Sequence, residues 1–287
     1  MIATSQKHWT GDAAQLLRAR PGFVLSSVAP AATPGYGHSK SHAREDLAAG
    51  AAQLSDLQER LYAASRPTGA GASVLLVLQA MDSAGKGGIV RHVIGSVDPQ
   101  GVALAAFKKP TPEELSHDFL WRVAKRVPEP GFIGVFDRSH YEDVLIGRVR
   151  ALAPAEEIER RYGAINDFEQ RLADAGIRIV KVMLHLSYEE QRNRLMERLD
   201  RPDKHWKYNP GDVDERALWP HYMDAYQTVF ERTSTDAAPW YVVPADRKWY
   251  ARLAVQALLL EALESIGPNW PAATYNIAAE RARLQAT

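Results

Sequence analysis

Apolar residues run together at 74–78 (V-L-L-V-L), at 132–136 (F-I-G-V-F) and, around two basic residues, at 177–186 (I-R-I-V-K-V-M-L-H-L). Short runs of this kind, bounded by turn residues, predict strands buried on both faces. Briefer runs at 102–107 and 240–243 read the same way. Elsewhere the period changes. Leu47, Ala51, Leu54, Leu57, Leu61 and Tyr62 recur at three- and four-residue steps, which predicts an amphipathic helix over 41–65. Further helices are predicted over 155–175, 217–232 and 249–265. Another, carrying Leu115, Phe119, Leu120 and Val123, opens with Thr111 as N-cap, Pro112 at the first helical position and Glu114 at the third. Ser187 and Glu190 form the pattern of a second capping box.

Strands alternating with helices imply βαβ units, hence an α/β fold with a mostly parallel sheet covered on both faces. Residues 1–40 are rich in proline and glycine and predict an irregular arm with at most one short helix near 12–19. One domain is expected over 41–270, with a tail at 271–287, although the length of 287 residues also allows two domains.

In parallel sheets ligands sit beyond the C-terminal strand ends. Two stretches occupy that position: the loop after Gln79 and the segment from Asp137. The first reads A-M-D-S-A-G-K-G-G (80–88). A strand, a glycine-bearing loop and a helix form a phosphate cradle, in which loop amides and one lysine face the anion. The usual motif is glycine, four residues, then Gly-Lys-Ser/Thr. Gly85 and Lys86 stand in place. Ala80 replaces the first glycine, and Gly87 stands where a metal-binding hydroxyl belongs. Asp82, inside the loop, is a candidate replacement, because a hard cation takes carboxylate and phosphate oxygens. Asp137, at a strand end, is the natural second carboxylate, although an aspartate there also caps whatever follows. Arg138 beside it can offer a planar fork to a phosphoryl group.

A basic lid is expected over about 194–216. Arg194 and Arg198 share a helix face, and Arg201, Lys204 and Lys207 alternate with Trp206 and Tyr208. Lys108 and Lys109 end the second strand at the same sheet edge, while Trp121 on the following helix reads as a packing residue.

Net charge is zero and pI about 7.2, so bulk attraction to nucleic acid or membrane is not indicated. Any polyanion site must be built locally. Without cysteine there are no disulfides or thiolate metal sites, which suits a reducing cytoplasm. No signal peptide, membrane span or internal repeat is read. The nine histidines show no metal-ligand spacing, and Ser139-His140 is a neighbouring pair rather than a triad.

These blocks together resemble the type-2 polyphosphate kinase family. The resemblance rests on A-M-D-S-A-G-K-G-G (80–88), D-P-Q-G-V (98–102), F-K-K-P-T (107–111) and L-S-H-D-F-L-W-R (115–122). It continues through G-V-F-D-R-S-H-Y-E-D-V-L (134–145), K-V-M-L-H-L-S-Y-E-E-Q (181–191), R-L-D-R-P-D-K-H-W-K-Y (198–208), R-T-S-T (232–235) and A-P-W-Y-V-V-P-A-D-R-K-W-Y (238–250). It covers residues 41–267. The resemblance implies a P-loop kinase-like, three-layer α/β/α fold with a helical lid. It also implies Mg²⁺-dependent phosphoryl transfer (Mn²⁺ could substitute) between inorganic polyphosphate and an adenine or guanine nucleotide, in a homo-oligomer, dimer or tetramer. Carried over by position, Asp82 and Asp137 are the metal-binding aspartates, Lys86 the loop lysine, Arg138 the adjoining arginine and Arg198 the lid arginine. Phosphate contacts are implied for Gly85, Gly87, Gly88, Arg194, Lys204 and Lys207, with Lys108 and Lys109 on a basic polyphosphate channel. An ATP-dependent nucleotide kinase of the same fold and a non-catalytic phosphate-binding module are the alternatives.

Overall fold

The structure, a computed structural model, describes residues 8–287. Its centre is a five-stranded, all-parallel sheet of β1 (Ser73–Gln79), β2 (Val102–Ala106), β3 (Ile133–Asp137), β4 (Ile177–His185) and β5 (Trp240–Pro244), in the order β2-β3-β1-β4-β5. The helices are, in chain order, α1 (Ala13–Leu17), α2 (Lys40–Ser65), α3 (Lys86–His92), α4 (Pro112–Leu115), α5 (Trp121–Ala124), α6 (Ile146–Val149), α7 (Ala155–Asp174), α8 (Tyr188–Asp200), α9 (Gly211–Arg216), α10 (Trp219–Thr233), α11 (Lys248–Ile266) and α12 (Ile277–Gln285).

Strand β1 shows why the run at 74–78 carries no polar alternation. Val74, Leu76 and Leu78 pack into the layer of α2, α3 and α11, while Leu75 and Val77 pack into the layer of α7 and α10. Both faces are therefore apolar, and each leucine buried there contributes roughly 2–3 kcal/mol. Helices α2 and α11 approach closely at Gly50: a Cβ there would lie 2.2 Å from Gln256 Oε1. The Gln256 amide then donates to the Leu47 carbonyl at 2.9 Å, tying the pair.

Residues 8–40 have little regular structure but line the core, burying Leu17, Leu25 and Tyr36. The Ala19 amide bonds the Trp240 carbonyl, and Arg18 bridges Tyr241 antiparallel, so the β5 edge is covered. The helix expected at 111–123 is two short helices. The Thr111–Glu114 box caps α4 as predicted, but Asp118 Oδ1 takes the Leu120 amide at 3.0 Å and starts a separate turn before α5. Trp121, expected to pack, stacks on His117 and lies under Lys125. At α8 only half of the predicted box forms. Ser187 accepts from the Glu190 amide, but the Ser187 amide goes to Asp246 and Glu190 turns to Arg194. Among the described residues no helix is long and apolar enough to cross a membrane.

Candidate active site

β1 and β3 are neighbours, with Leu78 paired to Asp137, so the loop leaving β1 and the turn leaving β3 emerge side by side. The loop is closed by Gly85, whose φ of 119° is a conformation that side chains resist. Lys86 follows as the first residue of α3. It is 9% exposed, with Nζ 3.4 Å from the Ala80 carbonyl. A Cβ at Gly87 would meet nothing within 4 Å, so the position that usually carries a hydroxyl opens onto free space.

Arg138 also adopts a left-handed backbone, φ 63°, with its amide bonded to the Leu78 carbonyl. Its Nη2 donates to Asp82 Oδ1 at 2.8 Å, and Glu142 stands 3.9 Å from Nη1. Burial works against the Arg138 charge, but the carboxylates of Glu142, Asp82 and Asp137 outweigh it and strengthen its hold on the proton. Asp82, Asp137, Arg138 and Lys86 thus converge.

Asp137 Oδ1 is a buried carboxylate oxygen with no hydrogen-bond partner. Such an atom is costly unless something positive meets it. With Asp82 in the same cleft, the donors present are the hard oxygens that Mg²⁺ prefers. Among the described residues no three His, Cys, Asp or Glu side chains converge on one point. The two carboxylates fit a cation whose remaining ligands are phosphate and water.

The cleft holding these groups encloses about 450 Å³. Nine lysines and arginines line it against three carboxylates, Asp82, Asp137 and Glu197. Lys86, Arg198, Lys204 and Lys207 are among them, as are the loop glycines Gly85, Gly87 and Gly88. Arg91, Arg252 and Lys248, which sequence reasoning missed, complete the wall. Burial and Arg91 both push the Arg252 pKa down, and burial, Arg252 and Arg91 lower that of His92. This is the signature of cations crowded without a counter-charge. Nothing in the sequence around Arg252 marks it, since only the fold brings α11 to the loop.

Arg194 lines the cleft but is engaged elsewhere. Its Nε donates to Glu190 at 2.7 Å. Nη1 donates to the Ser83 and Ala84 carbonyls at 3.2 and 2.7 Å, and Nη2 to those of Ala245 and Asp246 at 2.7 and 3.0 Å. All five N–H groups are used. Gln191 adds a bond to the Asp82 carbonyl at 3.0 Å, so α8 grips the loop twice. In the segment expected to form a lid, Arg198 donates to the Lys207 carbonyl at 3.0 Å and pairs with Asp212 at 3.3 Å. Lys204 pairs with Asp203, and Lys207 lies over the Trp206 ring. Lys108 and Lys109 are exposed beyond β2 and do not line this cleft.

A second, smaller cleft of about 240 Å³ shares Asp82 with the first and has the opposite character. Arg138 sits on its wall together with Glu142, Asp212, Glu215, Tyr222 and the apolar side chains of Met81 and Ile146. Burial raises the pKa of Glu142 against the lowering pull of Arg138 and Lys86. Burial and then Asp82 raise that of Asp212. A third cleft, of about 660 Å³, lies apart, between residues 22–30 and α10. Among the described residues Asp224 and Glu231 line it and no lysine or arginine does, so it offers phosphate no strong cationic partner.

Comparison with known proteins fits this geometry. The pattern described as Polyphosphate kinase 2 matches residues 37–269. The chain is 45% identical over 249 residues to the AMP/ADP-polyphosphate phosphotransferase of Meiothermus ruber, covering 87% of this chain and 91% of that one. It is 46% identical over 248 residues to the ADP-polyphosphate phosphotransferase of Rhodopseudomonas palustris, covering 82% and 84%. The crystal structure of polyphosphate kinase 2 from Arthrobacter aurescens TC1 superposes with a TM-score of 0.95 at 57% identity, over 97% of this chain and 98% of that one.

Proposed function

The chain belongs to the polyphosphate kinase 2 family, and from that premise we propose how its two clefts divide the labour of moving a phosphoryl group between polyphosphate and AMP or ADP. The cationic cleft takes the polyphosphate, since only a row of lysines and arginines offsets a charge on every phosphate. The acidic and apolar cleft takes the nucleoside end of the acceptor: its carboxylates repel phosphate but accept hydrogen bonds from amino and hydroxyl groups. Asp82, which lines both clefts, and Arg138 stand where the reacting phosphates meet. That shared wall carries the reading.

Phosphoryl transfer needs positioning and charge neutralisation more than covalent participation. Lys86, held against the loop, reaches the donor phosphates from below, and Arg138 presents its fork to the oxygens in transit. Arg198, Lys204 and Lys207 cover them from the lid and keep water out. Arg194 has no N–H left for a substrate and serves by fixing the loop carbonyls. Asp82 and Asp137 would hold Mg²⁺, which neutralises charge between donor and acceptor. Arg138 occupies one oxygen of Asp82, leaving the other for that ion. Gly87 offers no hydroxyl to it, which distinguishes this loop from that of an ATP-dependent kinase.

We place the enzyme in the cytoplasm as a homo-oligomer. Polyphosphate with Mg²⁺ assayed against AMP, ADP, GMP and GDP tests the reading. Transfer to an adenine nucleotide, abolished by Lys86→Ala, is expected. Transfer from ATP with no use of polyphosphate would refute it.

A further inference from the structure

Strand β4, inside the sheet between β1 and β5, carries a lysine that no substrate can reach. Lys181 is fully buried, opposite Val77 of β1 and Trp240 of β5. Its Nζ donates to Glu169 Oε2 at 2.6 Å, to the Tyr141 hydroxyl at 2.8 Å and to the Thr233 carbonyl at 2.8 Å, so all three protons are placed. Glu169, on α7 and equally buried, accepts from the Tyr141 hydroxyl at 2.9 Å, and its Oε1 meets His140 Nε2 at 3.2 Å. Both partners are charged and both are out of water, an arrangement that a pair of apolar side chains of similar volume would match or exceed in stability. Stability therefore does not account for it.

What the pair touches does. His140 and Tyr141 follow the Asp137–Arg138 turn after one residue, Ser139. Arg138 holds a left-handed conformation that a bulky side chain adopts only when its surroundings enforce it. On one side the turn is fixed by its own backbone bond to Leu78 and by Ser139, which accepts from Gln79 Nε2 and from the Tyr141 amide at 3.2 Å each. On the other side the fixings are Tyr141, moored to both Lys181 and Glu169, and His140, moored to Glu169.

We propose that the buried Lys181–Glu169 pair is a positioning device: acting through Tyr141 and His140, it locks the turn so that Arg138 reaches Asp82 at the wall between the two clefts. The proposal rests on the phosphotransferase reading for its activity readout.

The test is a double-mutant cycle in the full-length protein. Lys181→Met with Glu169→Gln removes both charges and keeps an acceptor for Tyr141. Tyr141→Phe, a milder change, cuts only the bridge. For each, kcat is expected to fall about tenfold or more, with KM for polyphosphate and nucleotide within about threefold and the melting temperature within a few degrees, since small misplacements of catalytic groups carry such losses. In an Arg138→Ala background the same changes are expected to cost less than about twofold further, because the group they position is gone. Wild-type kcat in either network variant, or losses that simply multiply with that of Arg138→Ala, overturns the proposal. If the wild type shows no transfer at all, the functional reading fails instead. Crystal structures of the network variants then decide it: loss of the Arg138–Asp82 bond is expected, and a bond unmoved from 2.8 Å overturns the proposal.

Discussion

Arg194 donates from Nη1 to the Ala84 carbonyl at 2.7 Å, across 110 residues of chain, and this bond sets the shape of the phosphate loop. The four other N–H groups of the same side chain are also spent, on Ser83, Ala245, Asp246 and Glu190. Arg194→Ala strands several buried carbonyls and leaves a helix carboxylate unpaired. It should destabilise the protein by roughly 2–4 kcal/mol. Arg198→Ala touches only the lid and should cost under about 1 kcal/mol. Urea unfolding separates the two. With both folded at low denaturant, Arg198→Ala should raise KM for polyphosphate, while Arg194→Ala should lower kcat for every acceptor.

Asp137 carries an orphaned oxygen, so one of its acceptor sites is unmet in the resting fold. Asp137→Asn should therefore leave stability unchanged or raise it by about 1 kcal/mol. Activity should fall by about three orders of magnitude. In thermal melts, Mg²⁺ with tripolyphosphate should raise the wild-type midpoint and leave that of Asp137→Asn nearly unmoved.

Burial and then Arg91 disfavour the charge of Arg252, and among the described residues neither arginine forms an ion pair with a carboxylate. Arg252→Ala should be neutral to stabilising and should raise KM for polyphosphate by about tenfold, with KM for nucleotide unchanged. Lys108→Ala with Lys109→Ala, outside the cleft, should change the rate on a short polyphosphate by less than about threefold. Steady-state kinetics at two salt concentrations read both, and the Arg252 effect should shrink as salt rises.

Glu261 titrates far from the chemistry. Burial, then Asp12 beside it, pushes its pKa up from 4.5 to about 7. The folded state thus binds the proton more tightly than the unfolded chain. The group costs nothing below pH 4.5, and stability declines as pH rises from there to about 7, beyond which the penalty is constant. Glu261→Gln should raise the melting temperature at pH 8 and leave it nearly unchanged at pH 4.5.

Much of this was legible in one dimension. The runs at 74–78 and 177–186 announce strands because both sheet faces are covered, and Lys86, Asp82, Asp137 and Arg138 lie just past strand ends. What escaped depends on partners distant in sequence. The break between α4 and α5 follows from Asp118 capping a new turn, which outcompetes continuation after Ser116. Glu190 has the spacing of a cap yet is drawn to Arg194, while Asp246 takes the Ser187 amide in its place. Arg194 itself has the spacing of a ligand for phosphate. Only the folded loop reveals that carbonyls have claimed it. Arg252 carries no local signature, because its neighbours Arg91 and Gly88 come from another helix.

The bare position at Gly87 has a consequence for when the cation comes aboard. Two aspartates would supply a minority of the six oxygens that a magnesium shell demands, and no serine or threonine stands at 87 to add another. On the proposed reading most of that shell would come from the phosphate chain and its waters, and the ion would travel with the donor. A chelator has little to strip from the resting protein, which should fold as readily in its presence as in its absence.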